Sequence, residues 1–375
     1  MRIGLITWFG GENYGTSLQA IALYKAIEEL GHEAELISFQ VGNKYHINHK
    51  DTFGEYVYSG MGVLYKKLLA GNRRKALEAS LADREQLVRQ VCQVTHDVSG
   101  EDAFVGIANT YDLLLCGSDQ IWNPKWYHAN YYAAYPEITV PKCSYASSIG
   151  LKEYNAGQNQ EWERAVCGFD KVSSREAAGC AILGNILHQN VPQVMDPVFL
   201  HTREFWHGFA GKDAVTSQTK DALCYFLSDR KRHWKSVRDF ADERGYYLSV
   251  IPMQGHSYQQ PGKILYGTGL RDFVEQIQNA QVILTDSFHA VVFSIIFRKE
   301  FYVFEKQKEC TGESQNARIQ ELLELCGLKN RLVAYDSNRI PVQESIDYHR
   351  VEAILEEKID LSKQYLSDIL MKRGL

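Results

Sequence analysis

His289 stands in the segment LTDSFHA, at residues 284–290, where two apolar runs meet. The run before it has the character of a strand and the run after it, AVVFSIIF, that of a helix. A helix begins with unpaired backbone N–H groups and the positive end of its dipole, so a histidine at this point favours a phosphate or a carboxylate. We therefore predict an anion site, although a histidine here can also be a buried hydrogen-bonding residue. Four later polar residues could close round the same anion or simply lie on the surface: Lys306, Lys308, Asn316 and Arg318.

Arg175 stands in the segment SSRE, at residues 173–176, which continues from the strand-like run KVS at residues 171–173. A guanidinium can grip a carboxylate or a phosphate through two parallel hydrogen bonds. The alternative is a surface ion pair with the neighbouring Glu176. We predict that Arg175 binds an anion.

The segment GSDQIWNP, at residues 117–124, follows the apolar run YDLLLC. Hydroxyl, carboxylate and amide groups beside an indole ring suit a carbohydrate, which needs hydrogen bonds to its hydroxyls and an aromatic face for its ring. Asp119 could also deprotonate an attacking hydroxyl, or it could only cap a helix while the tryptophan fills the core. The predicted sugar ligands are Ser118, Asp119, Gln120 and Trp122.

The segment GGENYGTS, at residues 10–17, joins a predicted strand to a predicted helix. Its spacing is not the G-x-G-x-x-G pattern of dinucleotide sites. Glycines and a helix start still allow a ligand to approach the backbone closely, unless the turn only caps the helix. By position, we place Asn13 and Tyr14 on the sugar side.

These segments require a fold in which the ends of strands lie next to the starts of helices. Residues 2–39 read as a β-α-β unit, residues 52–95 look helical, and residues 171–173 read as a short strand. The β/α alternation restarts after residue 195, with strands predicted at 247–251 and 282–285 and a helix near 270–279. We predict an α/β fold of two Rossmann-like domains, residues 1–194 on the side of the predicted sugar ligands and 195–340 on the side of the anion site at His289. Residues 341–375 should form a helix that packs back on the N-terminal domain.

Bulk composition supports this class. The 375 residues are 45% hydrophobic, which suits a folded globular protein, and the net charge of −5 disfavours a general nucleic-acid binder. The eight cysteines have no metal-ligand spacing, so we expect reduced thiols and no metal. No run has the length of a membrane span or the form of a signal peptide, so we expect a cytoplasmic protein. A basic helix near residues 62–78 could touch the inner face of the plasma membrane, or be an ordinary solvated helix face.

The order of five motifs resembles the polysaccharide pyruvyl transferase family: NYGTSLQAIAL, YDLLLCGSDQIWNP, SSRE, MDPVFL and TDSFHAVVFSIIF, with the resemblance extending to about residue 330. The resemblance implies a GT-B-like fold, phosphoenolpyruvate as the donor substrate and no cofactor. The acceptor would be a hexose of a surface polysaccharide, such as a capsule or exopolysaccharide, or of its precursor linked to undecaprenyl diphosphate. It also implies that Arg175 and His289 bind the donor, with Lys306 or Lys308 as the family's lysine.

Position 287 departs from the family pattern. Many members have Arg-Leu-His where this chain has Ser287-Phe288-His289. Ser287 with the helix N-terminus could replace that arginine, or Arg318 or a lysine could reach in. The predicted chemistry uses His289 as the acid toward the donor and Asp119 as the base toward the acceptor. Two alternatives stay open: a nucleotide-sugar glycosyltransferase of GT-B fold, and a glycan-assembly protein without catalysis.

Overall fold

The structure is a computed structural model that describes residues 1–39, 70–211, 220–228, 230–253, 255–306 and 317–371. Within the helix that begins at residue 70, the side chains of residues 70–77 are not described. The predicted basic helix near residues 62–78 therefore lies largely outside the described residues, as do Lys308 and Asn316.

The N-terminal part of the chain forms a parallel sheet from β1 (Arg2–Ile6), β2 (Glu33–Leu36), β3 (Leu113–Gly117) and β4 (Lys142–Tyr145). The order in the sheet is β2-β1-β3-β4. β1 is buried along nearly its whole length, and β3 along all of it, as expected for strands covered on both faces. The chain continues from β1 to β2 on one side of β1 and later places β3 on the other side. A topological switch point therefore lies between β1 and β3.

Helices cover this first sheet. Helix α1 (Tyr14–Glu29) connects β1 to β2, and it begins where the side chain of Asn13 accepts a hydrogen bond from the backbone N–H of Gly15. The following helices are α2 (Ala70–Val91), α3 (Glu101–Ala108), α4 (Gln160–Cys167) and α5 (Ala177–Leu187).

The C-terminal part forms a second parallel sheet in the order β10-β9-β8-β5-β6-β7. Its strands are β5 (Asp221–Tyr225), β6 (Tyr247–Ile251), β7 (Lys263–Ile264), β8 (Val282–Thr285), β9 (Glu300–Phe304) and β10 (Leu332–Val333). Here β5 comes first and has β6 on one side and β8 on the other, so the switch point lies between β5 and β8. The connecting helices are α6 (Arg203–Ala210), α7 (Lys231–Arg244), α8 (Leu270–Asn279), α9 (Phe288–Ile296) and α10 (Ala317–Leu325).

The last helix, α11 (Tyr348–Leu370), touches both halves of the molecule. Its Tyr365 hydroxyl donates to the carbonyl of Ser144 in β4 at 3.1 Å, and its Glu352 forms ion pairs with Arg203 and Arg298 of the C-terminal half. One buried apolar cluster also runs from α1 into α8 and α9. The two sheets are thus held together through a shared core as well as through this helix.

The two parallel sheets with flanking helices confirm the α/β fold of two Rossmann-like units. Two local predictions were wrong. Residues 171–173 are not a strand: Lys171 and Ser174 only form isolated parallel bridges with Cys143 and Ser147. The helix predicted over 52–95 ends at Val91, and its part before residue 70 lies outside the described residues. The boundaries at 194/195 and 340/341 stay a prediction.

Candidate active site

The two switch points face each other. Ser118 and Asp119 directly follow β3, and His289 occupies the first turn of α9 directly after β8. In doubly wound sheets, ligands bind outside the carboxyl ends of the strands at such points. The ends of β3 and β8 therefore bring together the segments that the sequence analysis predicted to bind ligands.

Arg175 lies at the centre of the region, just before α5, and is buried. Its Nη1 donates to Oδ2 of Asp196 at 2.7 Å, while Nε lies 3.4 Å from Oε1 of Glu176 and Nη2 lies 3.5 Å from Oδ1 of Asp119. Burial acts to lower the pKa of Arg175, but these three carboxylates outweigh it and raise the pKa above its ordinary value. A buried ion pair of this kind holds its members in place more than it adds stability.

Asp196 was missed as a site residue by the sequence reasoning, although its motif MDPVFL was recognised. The residue precedes Pro197 and caps a single 3-10 turn, accepting a hydrogen bond from the backbone N–H of Val198 at 3.1 Å. Burial alone would raise its pKa, yet His289 and Arg175 lower it to about 2. An aspartate before a proline at a helix start is the signal that could have found it.

His289 is buried, and its Nε2 lies 3.4 Å from Oδ2 of Asp196. Its other face packs on the first turn of α1 so closely that a Cβ atom added to Gly15 would lie 1.9 Å from Nδ1 of His289. Only glycine leaves room for the ring there. The imidazole of the C-terminal unit is thus clamped between a carboxylate and a helix of the N-terminal unit.

Asp119 has a backbone φ of 61°, a left-handed conformation that is uncommon for residues other than glycine. Its Oδ2 accepts a hydrogen bond from the Thr16 hydroxyl at 2.9 Å, and its Oδ1 accepts one from the backbone N–H of Gln120 at 2.9 Å. Burial acts to raise its pKa, but Arg175, and after it His289 and Arg318, hold the pKa below the ordinary value. Asp119 is therefore ionised at neutral pH.

Three buried nitrogens in this region lack a hydrogen-bond partner among the described residues: Nη2 of Arg175, Nε2 of His289 and Nε of Arg318. Both guanidinium groups lie near the ring of Phe288, at 5.1 and 5.8 Å from its centroid. Burial and the neighbouring Arg175 lower the pKa of Arg318 to about 10. A buried N–H group without a hydrogen bond costs free energy, and an anion that accepted hydrogen bonds from these groups would recover part of it.

The family model for polysaccharide pyruvyl transferase matches residues 13–306. The chain belongs to this family. The match ends at Lys306, before the expected limit near residue 330. No curated sequence matches the chain.

Solved structures resemble this family member over nearly its full length. UDP-GlcNAc 2-epimerase from Neisseria meningitidis, bound to UDP-GlcNAc, has a TM-score of 0.53 at 9% identity and covers 97% of this chain and 93% of its own. The enzyme of the same name from Methanocaldococcus jannaschii has a TM-score of 0.53 at 9% identity and covers 99% of each chain. The S. aureus MnaA–UDP structure has a TM-score of 0.50 at 14% identity and covers 98% of this chain and 90% of its own. At these identities the similarity shows the fold alone, which is the predicted GT-B-like arrangement.

Around the pyruvyl transferase motif that holds His289, the neighbouring polar residues have structural contacts. Ser287 caps α9, with its hydroxyl accepting from the backbone N–H of Ala290 at 3.5 Å. Asp286 accepts hydrogen bonds from the backbone N–H groups of Leu227 and Ser228 at 2.6 and 2.9 Å, which ties β8 to the end of β5. Lys306 is part-buried, and burial lowers its pKa although Asp286 acts in the opposite direction.

The residues predicted for the sugar are more dispersed. Asn13 caps α1, and its side-chain oxygen also accepts a hydrogen bond from the Tyr225 hydroxyl at 3.4 Å. Ser118 lies beside Arg175, with its Oγ 3.5 Å from Nη1. Gln120 is part-buried and turns toward Gly150.

Trp122 is fully buried in the core of the N-terminal unit, stacked on Tyr132 with ring centroids 5.2 Å apart and in edge contact with Phe169. Its faces are thus covered by other rings. Tyr14 is also buried, and its hydroxyl donates to the carbonyl of Thr268 across the two units at 3.0 Å.

Among the residues that the structure describes, no group of three or more His, Cys, Asp or Glu side chains is arranged to hold a metal ion. No helix in the described ranges is long and apolar enough to cross a membrane.

Proposed function

We propose that this pyruvyl transferase family member moves the pyruvyl group of phosphoenolpyruvate onto two hydroxyls of one hexose, which belongs to a surface polysaccharide or its lipid-linked precursor, and releases phosphate. The observation that supports the donor is the set of three buried nitrogens, on Arg175, His289 and Arg318, that make no hydrogen bond among the described residues although carboxylates lie 3.4 to 4.0 Å away. Phosphoenolpyruvate carries a carboxylate and a phosphate a few ångströms apart, which two guanidinium groups and an imidazole can bind together.

Arg318 takes the place of the arginine that many family members have at position 287. It approaches from α10, and its Nε is 4.0 Å from Oε1 of Glu176, too far for a hydrogen bond. Burial and the neighbouring Arg175 lower its pKa to about 10, so a bound anion would stabilise its charged form. We propose that Lys306 or Lys308 adds a further positive charge for the donor.

His289 is the proposed general acid. It gives a proton to the methylene carbon of the donor while a sugar hydroxyl attacks C2, and the resulting adduct expels phosphate. A second hydroxyl of the same sugar then attacks C2 and closes the ketal. Asp119 accepts the proton of the first attacking hydroxyl and passes it on. Of the two hydroxyl protons released in all, one restores His289 and the other leaves with phosphate. Asp196, 3.4 Å from Nε2, offsets the positive charge of the imidazolium.

Asp119 is the proposed base toward the acceptor. It is ionised, as a base must be, and its hydrogen bond from Thr16 places it beside the start of α1. A carboxylate with a lowered pKa is a weak base, so its main contribution in this scheme is to orient the acceptor hydroxyl. The sugar itself is expected near Asn13, Ser118 and Gln120.

Thermal unfolding with phosphoenolpyruvate and, separately, with a panel of nucleotide sugars tests the donor. We expect a rise in melting temperature with phosphoenolpyruvate, and a mass gain of one pyruvate unit on a suitable lipid-linked glycan. Stabilisation by a nucleotide sugar but not by phosphoenolpyruvate would instead support a glycosyltransferase. Binding of phosphoenolpyruvate without product from any glycan would support a non-catalytic assembly protein.

A further inference from the structure

Trp126 has an exposed indole close to the segment that ends in Pro124. It is 41% exposed, and its ring lies beside that of Trp8, with centroids 6.4 Å apart and planes inclined by 34°. Trp8 is itself only part-buried. Single exposed apolar side chains are common on proteins, but adjacent rings form a continuous apolar surface, which is typical of a site that binds a ligand or a partner. The other four of the six tryptophans are fully buried: Trp122, Trp162, Trp206 and Trp234.

The backbone of Trp126 is held in place although its side chain is exposed. The residue ends a 3-10 turn, Pro124–Trp126, which begins where the side chain of Asn123 accepts a hydrogen bond from a backbone N–H at 3.0 Å. The carbonyl of Pro124 accepts another from the side chain of Asn159, the cap of α4, at 3.1 Å. The indole therefore stands on a fixed turn, and less ordering of the chain is needed when a ligand binds.

Trp8 follows β1 and is connected to the candidate site by hydrogen bonds. The side-chain nitrogen of Gln19 donates to the carbonyl of Trp8 at 2.8 Å and to that of Thr16 at 2.9 Å, and the Thr16 hydroxyl donates to Asp119. The ring of Trp8 also contacts the buried ring of Tyr131 edge-on, with centroids 6.1 Å apart. The two indoles therefore lie at the carboxyl edge of the N-terminal sheet, the edge at which Asp119 lies.

The size and surroundings of this surface suit a sugar ring. In residues 78–211, which are all described, no large apolar side chain other than Trp126 is exposed. Two rings are too small an apolar area for a stable protein interface. A hexose instead packs the C–H groups of one face on an aromatic ring and keeps its hydroxyls toward polar groups and water. The part-buried Gln120 and the exposed Lys125 supply polar groups in the same stretch of chain.

We infer that Trp8 and Trp126 form an aromatic platform that binds a second sugar ring of the acceptor, next to the hexose that receives the pyruvyl group. The inference rests on the proposed function, because it assigns the platform to the acceptor of that reaction. It adds that the acceptor is recognised as an oligosaccharide, through a ring that does not react. It also supplies the exposed indole that the buried Trp122 does not.

Fluorine NMR of the protein labelled with fluorotryptophan tests the platform, with resonances assigned through Trp8→Phe and Trp126→Phe. The probes are cellotetraose, galactotetraose and mannotetraose, each compared with the methyl glycoside of the same sugar. We expect at least one tetraose to shift the resonances of Trp8 and Trp126, and to bind about 3- to 10-fold more tightly than its methyl glycoside. The four buried tryptophans are internal controls and should not respond. If no tetraose shifts either platform resonance, the inference is wrong.

Trp126→Ala removes the exposed ring and should weaken binding of that tetraose by about 3- to 10-fold. Trp126→Tyr should retain most of the affinity, because tyrosine restores an aromatic face. Tyr247→Ala, at a 55% exposed position at the start of β6, is the matched control and should bind like the wild type. Equal affinity of Trp126→Ala and wild type would remove Trp126 from the site.

A second variant keeps the test decisive if Trp126→Ala does not fold. Trp126→Leu preserves an apolar contact with Trp8 but has no aromatic face, so we expect the same loss of tetraose binding. Unchanged affinity in a folded Trp126→Leu protein would count against stacking. Phosphatidylglycerol vesicles are a further probe, since exposed tryptophans also suit a membrane surface. A shift of the Trp126 resonance by vesicles and by no tetraose would overturn the inference in favour of membrane contact.

Failure of this inference can be told apart from failure of the proposed function. Thermal unfolding of the wild type and Trp126→Ala with phosphoenolpyruvate should show equal stabilisation, because the platform lies outside the donor cluster. If phosphoenolpyruvate stabilises the protein and no tetraose binds, only the platform is wrong. If a tetraose binds through Trp126 and phosphoenolpyruvate has no effect, the platform stands as a glycan site and the proposed donor is wrong.

Discussion

A single oxygen of Asp196 connects cations from both halves of the molecule. Oδ2 accepts the hydrogen bond of Arg175 at 2.7 Å and lies 3.4 Å from Nε2 of His289. Arg175 belongs to the N-terminal unit and His289 to the C-terminal unit, so this carboxylate sets the distance between the two proposed donor ligands. Because Asp196 is itself held by the backbone of Val198, it has little freedom to move.

The substitution His289→Ala should remove the proton donor while leaving the fold intact. General acid catalysis typically contributes about 10²- to 10⁴-fold, and we expect phosphate release from phosphoenolpyruvate, with acceptor present, to fall by that range. His349→Ala, at an exposed position in the first turn of α11, is the control. Undiminished phosphate release by a folded His289→Ala protein would remove the imidazole from the mechanism.

Arg318→Gln should act mainly on donor binding. A hydrogen bond to a charged group contributes about 1.5 to 3 kcal/mol, so we expect the KM for phosphoenolpyruvate to rise by about 10- to 150-fold with a smaller change in kcat. Steady-state kinetics at varied donor concentration measures both. Arg339→Gln, an exposed arginine paired with Glu243, should leave the KM unchanged. A KM that Arg318→Gln also leaves unchanged would mean that Arg318 does not replace the family's arginine.

The roles predicted for single residues stay predictions, but the structure does show where their side chains lie. Arg175 and His289 were singled out from strand ends and helix starts, and the structure brings them to the same carboxylate. Asp196 was not, because an aspartate before proline commonly serves only as a cap, and its contact with Arg175 depends on tertiary packing. Trp122 shows the converse, since a tryptophan next to polar residues suits a sugar equally well before its burial is known.

Among the elements, α1 and α9 meet at their first turns, one from each unit. The N-terminus of α1 lies against His289 at Gly15, while the same turn supplies Thr16 to Asp119. The motif NYGTS is therefore explained by packing between helix starts as much as by any ligand. The glycine spacing of this motif does not fit the dinucleotide pattern, but the motif does contain the point at which the backbone of Gly15 approaches the imidazole of His289.

Gly15→Ala tests this contact between elements. The new methyl group would lie 1.9 Å from Nδ1 of His289, so the ring must move, and a shift of about 1 Å in a reacting group can cost about 10²-fold in rate. We expect kcat to fall by roughly that factor. Gly10→Ala, in the same loop but with no atom within 4 Å of the added Cβ, should have near wild-type kcat. Equal activity of the two variants would show that the ring position is not critical.

The bounds of several helices and strands were predicted correctly from the sequence, and two other segments were not. Helix α8 and strands β6 and β8 have the predicted bounds, because their apolar period and flanking residues agree. The run around Lys171 has a strand's composition but forms only isolated bridges beyond β4. Strand β9 went unpredicted, although its buried residues 301–304 complete the sheet beside β8.

At the scale of the whole molecule, the candidate site is formed by residues of both units, and neither unit contains all of them. The N-terminal unit supplies Arg175 and Asp119, the C-terminal unit supplies His289 and Arg318, and a shared apolar core with α11 fixes their relation. Sequence reasoning predicted two Rossmann-like units from the restart of β/α alternation. It did not predict the buried charge cluster, whose members are distant in sequence and meet only when both sheets are in place.

The ion pairs of Asp196 should make the stability of the whole molecule depend on pH in a defined way. The folded-state pKa of about 2 lies below the ordinary value of 3.8, so the carboxylate stabilises the fold above about pH 4, and this contribution is lost as pH falls through 2. The difference corresponds to about 2 kcal/mol. Asp196→Asn should therefore be less stable than wild type at pH 7, with a gap that narrows by about that amount as the pH falls from 5 to below 2.

Denaturant unfolding of both proteins across this pH range measures the gap. Asp242→Asn, at an exposed position on α7, is the control and should follow the wild-type curve throughout. A gap between Asp196→Asn and wild type that stays constant with pH would show that the loss comes from packing and not from charge. A gap that narrows for Asp196→Asn alone would assign it to the carboxylate that joins Arg175 to His289, and hence one unit to the other.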